Sequence, residues 1–183
     1  VANYAISAKK SYSPDKDLTP IMLIGVSPLA VFAHRSFKPN DIRELVSFAK
    51  GNPGKVSYAS CGVGTPHHFA MEVLKTRLGM DIQHVSYKSC SPAVQDVVGG
   101  QVPLGIATAS LIAPYVATGR LKVLGVSGSK PYQLLPGAPT LESQGVPVQD
   151  FSIWYALMGP ANMPAQLVHR IATDAGKILD DPA

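Results

Sequence analysis

The amino-acid sequence predicts an α/β fold built on a doubly wound parallel sheet. Three observations support this prediction: short apolar segments alternate with helical patterns over residues 56–126, glycines separate many of them, and 46% of the 183 residues are hydrophobic. Strands that alternate with helices are typical of parallel sheets, and a chain of this length and composition can bury a substantial core. Ligand loops are therefore expected at the carboxyl ends of the strands.

Local signals place each element in order. Residues 21–33 are strand-like, and Asn40 is the expected N-cap of a helix that the breakers at 51–54 end. Gly79 is expected to end the helix that begins at Pro66. The predicted order from there is strand 56–59, helix 66–78, strand 82–85, a helix opened by Ser91 and Pro92, strand 102–107, helix 110–118 and strand 121–126.

The end of the chain has a different character. Residues 128–147 are rich in proline and glycine, with a short capped turn expected at 140–142. Residues 151–160 then predict another buried strand, and Pro164 opens an amphipathic helix. This helix has no obvious partner surface in the compact unit, which predicts a second lobe that is mostly absent.

The most informative segment is the glycine loop at residues 60–65. Gly62 and Gly64 allow positive φ angles, Thr65 is a good N-cap, and Pro66 suits the first helical position. Backbone N–H groups and the positive end of the helix dipole would then face one small volume. The sequence therefore predicts a site for a carboxylate or a phosphate.

Other interpretations of this loop remain open. It could be an ordinary tight turn between strand and helix, or Cys61 could be a nucleophile paired with His67 or His68. A nucleotide phosphate loop is disfavoured, because no Lys-Ser/Thr pair follows the glycines and no third glycine completes a dinucleotide motif. Adjacent helical residues point about 100° apart, so one histidine is expected to face the ligand and the other to face packing or solvent.

Two further loops, at residues 87–91 and 108–110, are expected to lie beside the glycine loop. Tyr87 could line the pocket or pack against the sheet, and Lys88 could supply a positive charge or simply be solvated. Ser91 and Pro92 predict a second helix N-terminus there. Cys61 and Cys90 follow strands expected to be neighbours, so they could form a disulfide or remain two small buried thiols.

Composition excludes several function classes. The net charge is +4, but the basic residues are scattered and no basic stripe with interleaved aromatic residues is present, which disfavours nucleic-acid binding. No apolar run approaches the roughly 20 residues needed to cross a bilayer. The sequence begins at Val1 without methionine or a signal peptide, so we expect a mature or trimmed fragment.

Seven short motifs occur in an order and spacing that resemble one family of receptors. They are YAS at 58–60, GVGT at 62–65 followed by His68, VSYK at 85–88, GGQV at 99–102, GRL at 119–121, PTLE at 139–142 and WYALMGPA at 154–161. Nearly the whole chain resembles the substrate-binding proteins of tripartite tricarboxylate transporters, the Bug family. It departs from the family pattern at Cys61, Ser89, Cys90 and Pro103.

This resemblance implies a fold like that of type II periplasmic binding proteins, a two-lobed "Venus flytrap", from which most of the first lobe is missing. Residues 1–22 and 156–183 would be first-lobe remnants and residues 23–155 the ligand-binding second lobe, with 23–33 and 152–160 as hinge strands. The protein would be a periplasmic monomer whose partners are a small carboxylate ligand and the membrane subunits of a transporter.

The resemblance also implies ligand contacts from the glycine loop. The positions that match the family loop are Ser60, Gly62, Gly64, Thr65 and His68; Tyr87, Lys88 and Ser110 are added from the neighbouring loops. We expect ligand capture without chemistry, and hence no catalytic residue, metal or cofactor. The alternatives are a cysteine-dependent α/β hydrolase or transferase that uses Cys61, and a sensory ectodomain of the same fold.

Overall fold

A computed structural model describes residues 12–146 and 151–180 of the chain. It has two compact units, Ser27–Ile153 and the described residues of Val1–Val26 with Trp154–Ala183. In chain order the elements are α1 (Pro14–Asp17), β1 (Leu18–Ser27), β2 (Leu29–His34), α2 (Ile42–Gly51), β3 (Val56–Ser60), α3 (Pro66–Leu78), β4 (Ile82–Ser86), α4 (Cys90–Val98), β5 (Leu104–Thr108), α5 (Ala109–Ala117), β6 (Leu121–Val126), a short 3₁₀ helix (Glu142–Gln144), β7 (Ile153–Pro160) and α6 (Ala165–Leu179).

The larger unit contains a five-stranded sheet in the order β4-β3-β5-β2-β6. The α/β class is confirmed, but the sheet is mixed rather than wholly parallel. β3 is parallel to β4 and β5, whereas β2 is antiparallel to both β5 and β6. Parallel neighbours need a crossover connection of a dozen or more residues. β2 lies between β5 and β6, and its pairing with these two strands sets its direction.

Pro28 also divides the single strand predicted over residues 21–33 into β1 and β2. Proline has no N–H to donate to a ladder, so a break at this position is expected physically.

Two predicted helix starts are shifted. The cap of α2 is Asp41 rather than Asn40: the Asp41 carboxylate accepts from the Glu44 N–H at 2.7 Å. The start of α4 is Cys90, with Ser89 rather than Ser91 at the N-cap. Pro92 lies in the first turn of α4, where a missing N–H breaks no helical hydrogen bond. The α3 boundaries, Pro66–Leu78, agree with the prediction, and Gly79 ends this helix in the left-handed region.

Helices cover both faces of the sheet, as the doubly wound prediction requires. On one face, Leu45 of α2 and Met71 of α3 pack in a buried cluster that includes Tyr58 of β3. On the other face, Val97 of α4 packs in a second cluster that includes Ala59. Successive residues of β3, Tyr58 and Ala59, thus point into two different cores.

The smaller unit contains a two-stranded sheet of β1 and β7 together with α1 and α6. The expectation of a buried strand over residues 151–160 is wrong in this structure: β7 starts at Ile153, and only Gly159 in it is buried. None of the residues of α6 is buried. Part of the predicted first-lobe remnant at residues 1–22 lies outside the described residues.

Within the described ranges, no helix is both long enough and apolar enough to cross a membrane.

Candidate functional site

The glycine loop after β3 folds back on the first turn of α3. Gly62 and Gly64 both have positive φ angles, 127° and 75°. Thr65 is the N-cap as predicted: its Oγ1 accepts from the His68 N–H at 3.4 Å and donates to the Gly62 carbonyl at 2.7 Å. These bonds fix the loop at the positive end of the helix dipole.

Two loop amides have internal partners. The Gly64 N–H donates to Nδ1 of His68, and the Thr65 N–H donates to the Gly62 carbonyl, each at 3.3 Å. Neither of these two amides is therefore free to donate to an anion. The backbone N–H groups of Val63 and His67, by contrast, have no acceptor among the described residues. These two N–H groups therefore remain available as donors at the N-terminal end of α3.

Ser60 lies beneath the loop. Its side chain is fully buried, its Oγ is 2.7 Å from Nε2 of His84, and it accepts from the Gly62 N–H at 3.3 Å. This placement makes Ser60 a support for the loop and argues against the direct ligand contact predicted for it.

A stack of three rings extends this support. His68 lies on His84 with ring centroids 4.3 Å apart, and His84 lies on Tyr58 at 4.9 Å. Burial lowers the pKa of His84, and the stacked imidazole of His68 lowers it further, because two protonated rings this close would repel each other. The lowered pKa favours the neutral form of the ring that stacks and bonds to Ser60.

The buried end of the stack is joined to α3. The Tyr58 hydroxyl donates to Glu72 at 2.7 Å, and Lys75 pairs with the same carboxylate at 2.8 Å. Burial and the neighbouring Glu72 raise the pKa of Tyr58. Burial acts to raise the pKa of Glu72 as well, but the hydrogen bonds from Lys75 and Tyr58 outweigh it and leave that pKa below its usual value. Glu72 is thus a charged acceptor that holds Tyr58 in place.

The second loop is linked covalently to the first. Cys61 and Cys90 form a disulfide with their Cα atoms 4.2 Å apart, so the pairing that the sequence left open is present. A Cβ added at Gly62 would lie 3.1 Å from the carbonyl oxygen of Tyr87, so the two loops approach closely at a glycine. The disulfide and this approach hold the N-terminal ends of α3 and α4 together.

The remaining predicted residues have different environments. Tyr87 packs against the second core cluster and its hydroxyl donates to Asp96 at 2.6 Å, which favours the packing interpretation. Burial and Asp96 raise the pKa of Tyr87 to about 12. Lys88 is exposed, and Ser110 is exposed with its Oγ 3.4 Å from that of Ser27. The glycine loop and the loops at residues 87–91 and 108–110 follow β3, β4 and β5, and β3 is parallel to both of the other strands.

The two adjacent histidines of α3 have different environments, as expected. His68 is half-buried in the ring stack. His67 is 6% exposed, its Nε2 lies 3.8 Å from the Cys90 sulfur, and its Nδ1 has no partner among the described atoms. Burial lowers the pKa of His67 to about 4, so this imidazole is neutral at physiological pH.

Sequence reasoning missed the support beneath the loop: His84, Tyr58 and Glu72. One signal was available, because Tyr58 and His84 are direct neighbours across parallel strands of equal length. A partly buried imidazole needs a hydrogen-bond partner, and Ser60 is that partner.

The structure also bears on the cysteine enzyme. Both cysteines of the chain are in the disulfide, and Cys61 is 7% exposed. A nucleophilic cysteine needs an accessible thiolate, which Cys61 lacks in this form.

Comparison with known proteins identifies relatives of the chain. The family model described as "Tripartite tricarboxylate transporter family receptor" matches residues 3–183. The UPF0065 protein in the tcbD-tcbE intergenic region of Pseudomonas sp. strain P51 is 31% identical over 172 residues, which are 93% of this chain and 51% of that protein. The chain thus spans about half the length of this relative.

Solved structures share the fold. R. palustris Rpa4515 with adipate has a TM-score of 0.90 and 26% identity, covering 100% of this chain and 61% of that one. MatC from Rhodopseudomonas palustris with bound malate has a TM-score of 0.87 and 26% identity, covering 99% of this chain and 62% of that one. These similarities favour a receptor over a cysteine enzyme. Because the family model matches almost from end to end, the chain belongs to the family of tripartite tricarboxylate transporter receptors.

Proposed function

We propose that this chain is the ligand-binding part of a periplasmic receptor that captures a small carboxylate and delivers it to the membrane subunits of a tripartite transporter. One observation carries the proposal: the backbone N–H groups of Val63 and His67 have no acceptor among the described residues and lie at the N-terminal end of α3. Such donors, aided by the helix dipole, favour an anion. Two related structures contain dicarboxylates, adipate and malate.

The proposed roles of the loop residues follow from their contacts. Gly62 and Gly64 give the backbone its positive φ angles, and Thr65 holds the first turn of α3. His68 accepts from the Gly64 N–H and thereby orients the peptide that joins Val63 to Gly64. Lys88 and Ser110 are the exposed side chains proposed to reach the ligand.

We propose binding without chemistry. A carboxylate receptor needs hydrogen-bond donors and partial exclusion of water, and it needs no nucleophile or general base. The Cys61–Cys90 disulfide suits a protein of an oxidising compartment such as the periplasm.

The division into lobes belongs to the same proposal. We propose residues 23–155 as the ligand-binding lobe, residues 1–22 and 156–183 as parts of the other lobe, and a monomeric state. Because relatives are about twice as long, the chain offers one side of a clamp and we expect it to bind weakly, with a Kd in the millimolar range.

Amide chemical shifts test the proposal even when binding is weak. We expect adipate and malate, titrated into the ¹⁵N-labelled chain, to shift the amide resonances of Val63 and His67 more than those of the rest of the chain. 1,6-Hexanediol, which has the carbon chain of adipate without its charges, is the matched control ligand and is expected to leave both resonances unchanged.

Two glycine variants provide the control for backbone strain. Gly64→Val and Gly119→Val both place a β-branched residue at a positive φ, 75° and 67°, but only Gly64 lies in the loop. We expect Gly64→Val to abolish the adipate shifts and Gly119→Val to retain them. Equal shifts in the two variants, or shifts by dicarboxylates only at residues remote from the loop, would contradict the proposed site.

A further inference from the structure

Three side chains that commonly bind metals converge beneath the two linked loops. The sulfur atoms of Cys61 and Cys90 and one ring nitrogen of His67 all lie within 4.8 Å of one another. In the oxidised protein the sulfurs are bonded to each other and have no thiolate to offer. We propose that Cys61, Cys90 and His67 form a binding site for a thiophilic metal ion, with Zn²⁺ as the representative, when the disulfide is reduced.

The distances suit a tetrahedral ion after small movements. With metal bonds of about 2.3 Å to sulfur and about 2.0 Å to imidazole nitrogen, tetrahedral angles place sulfur and nitrogen about 3.5 Å apart and the two sulfurs about 3.8 Å apart. Nε2 of His67 is already 3.8 Å from the Cys90 sulfur. Once the disulfide is broken the sulfurs must separate in any case, since they are no longer bonded. We expect a rotation of the Cys61 side chain to bring the three donors around one point, starting from ligand atoms that already lie within 4.8 Å of one another.

His67 provides an observation that is independent of the cysteines. Its side chain is 6% exposed and Nδ1 has no hydrogen-bond partner among the described atoms. A buried polar group without a partner costs free energy, so packing alone gives no reason for a histidine here. Its other nitrogen is aimed at the Cys90 sulfur. Metal ligation by Nε2 would use this buried imidazole as a neutral ligand, with the ring proton on Nδ1.

The surroundings allow a metal to enter and favour thiolates. Cys90 is half-buried and is the first residue of α4, where the helix dipole stabilises a thiolate. It is preceded by the exposed residues Lys88 and Ser89, so solvent reaches this side of the site. Two thiolates, one imidazole and one position open to water form a ligand set that zinc commonly adopts.

The chemistry balances with a dithiol as the reductant. The dithiol gives two electrons and two protons to the Cys61–Cys90 bond and becomes a disulfide itself, leaving two protein thiols. Binding of Zn²⁺ or Co²⁺ then displaces the two thiol protons into the buffer, while the neutral imidazole binds through a lone pair.

Cobalt titration under anaerobic conditions tests the site. The chain is reduced with dithiothreitol, desalted and titrated with Co²⁺, whose absorption reports both thiolate ligation and tetrahedral geometry. We expect one equivalent of Co²⁺ per chain with sulfur-to-cobalt charge-transfer bands, displacement by Zn²⁺, and no such bands in the oxidised protein or in Cys61→Ser/Cys90→Ser.

Histidine variants test the third ligand. We expect His67→Gln to weaken Co²⁺ binding by more than about tenfold, because loss of a direct ligand costs more than loss of an outer partner. His169→Gln, which changes an exposed histidine of α6, is the matched control and is expected to bind like the parent chain. Equal affinities for His67→Gln and His169→Gln would overturn the assignment of His67.

Far-UV circular dichroism at each step keeps the test decisive if reduction loosens the fold. A metal that binds only the folded site raises the unfolding temperature of the reduced chain, or refolds it. Reduced protein that neither binds one equivalent nor gains stability from Zn²⁺ would refute the metal site. Carboxylate binding by the oxidised chain is measured separately, so it can fail or succeed independently of this result.

Discussion

The two compact units differ in what their apolar residues contact. In the larger unit, Leu104 is 0% exposed in a core that covers one face of the sheet. In the smaller unit, Ile178 is 75% exposed and Trp154 is 54% exposed. Both units contain elements that the sequence predicts, such as α2 and α6, so the presence of an element and the burial of its apolar face are separate properties.

Two helices show that an amphipathic sequence and a buried apolar face are separate properties. α2 and α6 are both amphipathic, with apolar residues on one side, but α2 buries Ile42, Leu45 and Ala49 whereas α6 buries none of its residues. A helical period identifies the face that is suited to burial and carries no information about the surface that covers it. Monomeric proteins rarely expose clusters of apolar residues, and in this chain the exposed apolar residues concentrate in the smaller unit.

The test with the largest expected effect makes the same substitution, leucine to alanine, once in each unit. We expect Leu104→Ala to lower the free energy of unfolding by about 4 kcal/mol, since it leaves a cavity in a closed core. Leu167→Ala, at a leucine that is 45% exposed on α6, should cost about 1 kcal/mol at most. Urea unfolding followed by circular dichroism measures both. Similar losses would mean that α6 is packed as tightly as β5 and that the contrast between the units is wrong.

The disulfide provides a second test, since it lies wholly within the larger unit. The cysteines are 29 residues apart, and a cross-link of that span restricts the unfolded chain by about 3.6 kcal/mol in the chain-entropy model. Reduction should therefore lower the free energy of unfolding of the larger unit by about 3.6 kcal/mol. Trp154, the single tryptophan, lies in the smaller unit and reports on it separately.

The control for this experiment is the double variant Cys61→Ser/Cys90→Ser, whose unfolding should not respond to a reductant. A fluorescence transition of Trp154 that moves together with the circular dichroism signal would show that the two units unfold as one.

The acid sensitivity of the larger unit is a third test. Burial lowers the pKa of His67 to about 4, against 6.5 in an unfolded chain. Between these values the unfolded chain binds more protons, so stability rises with pH and is lost as pH falls below 6.5. We expect this group to remove about 3 kcal/mol between pH 7 and pH 4.

Two variants isolate the contribution of His67 from that of the carboxylates. His67→Leu removes the titrating group and should flatten this part of the pH profile, whereas His169→Gln should retain the slope of the parent chain. Identical slopes for the two variants would show that another group causes the acid sensitivity.

The fold was predictable where local signals were strong. Thr65, Pro66 and Gly79 define both ends of α3, and the observed helix agrees with them. The direction of β2 was not predictable, because it depends on pairing with β5 and β6, which lie far away in sequence. Strand direction is thus a property of tertiary contacts that an alternation of strands and helices does not encode.

The candidate site was also predictable only where it depends on residues that are close in sequence or on neighbouring strands. The glycine loop and its cap follow from neighbouring residues, and adjacent strands made the disulfide plausible. The support beneath the loop was missed because it joins residues 24 positions apart, Ser60 and His84, through a contact between strands. Ser60 consequently looked like a ligand residue, although its side chain is fully buried.

The smallest expected effects come from two aspartates in helices of the two units. Asp41→Ala removes the carboxylate that caps α2 and leaves the Glu44 N–H without its acceptor, so we expect a loss of about 1 kcal/mol. Asp174→Ala removes two pairings on α6, with Arg170 at 3.9 Å and Lys177 at 3.4 Å, in which all three side chains are at least 60% exposed. Exposed pairs of this kind contribute only a few tenths of a kcal/mol, and alanine has the higher helix propensity, so the two terms nearly cancel. Urea midpoints for both variants measure the difference directly. A loss of about 1 kcal/mol or more for Asp174→Ala would show that α6 depends on its surface charges to a degree that an exposed helix should not.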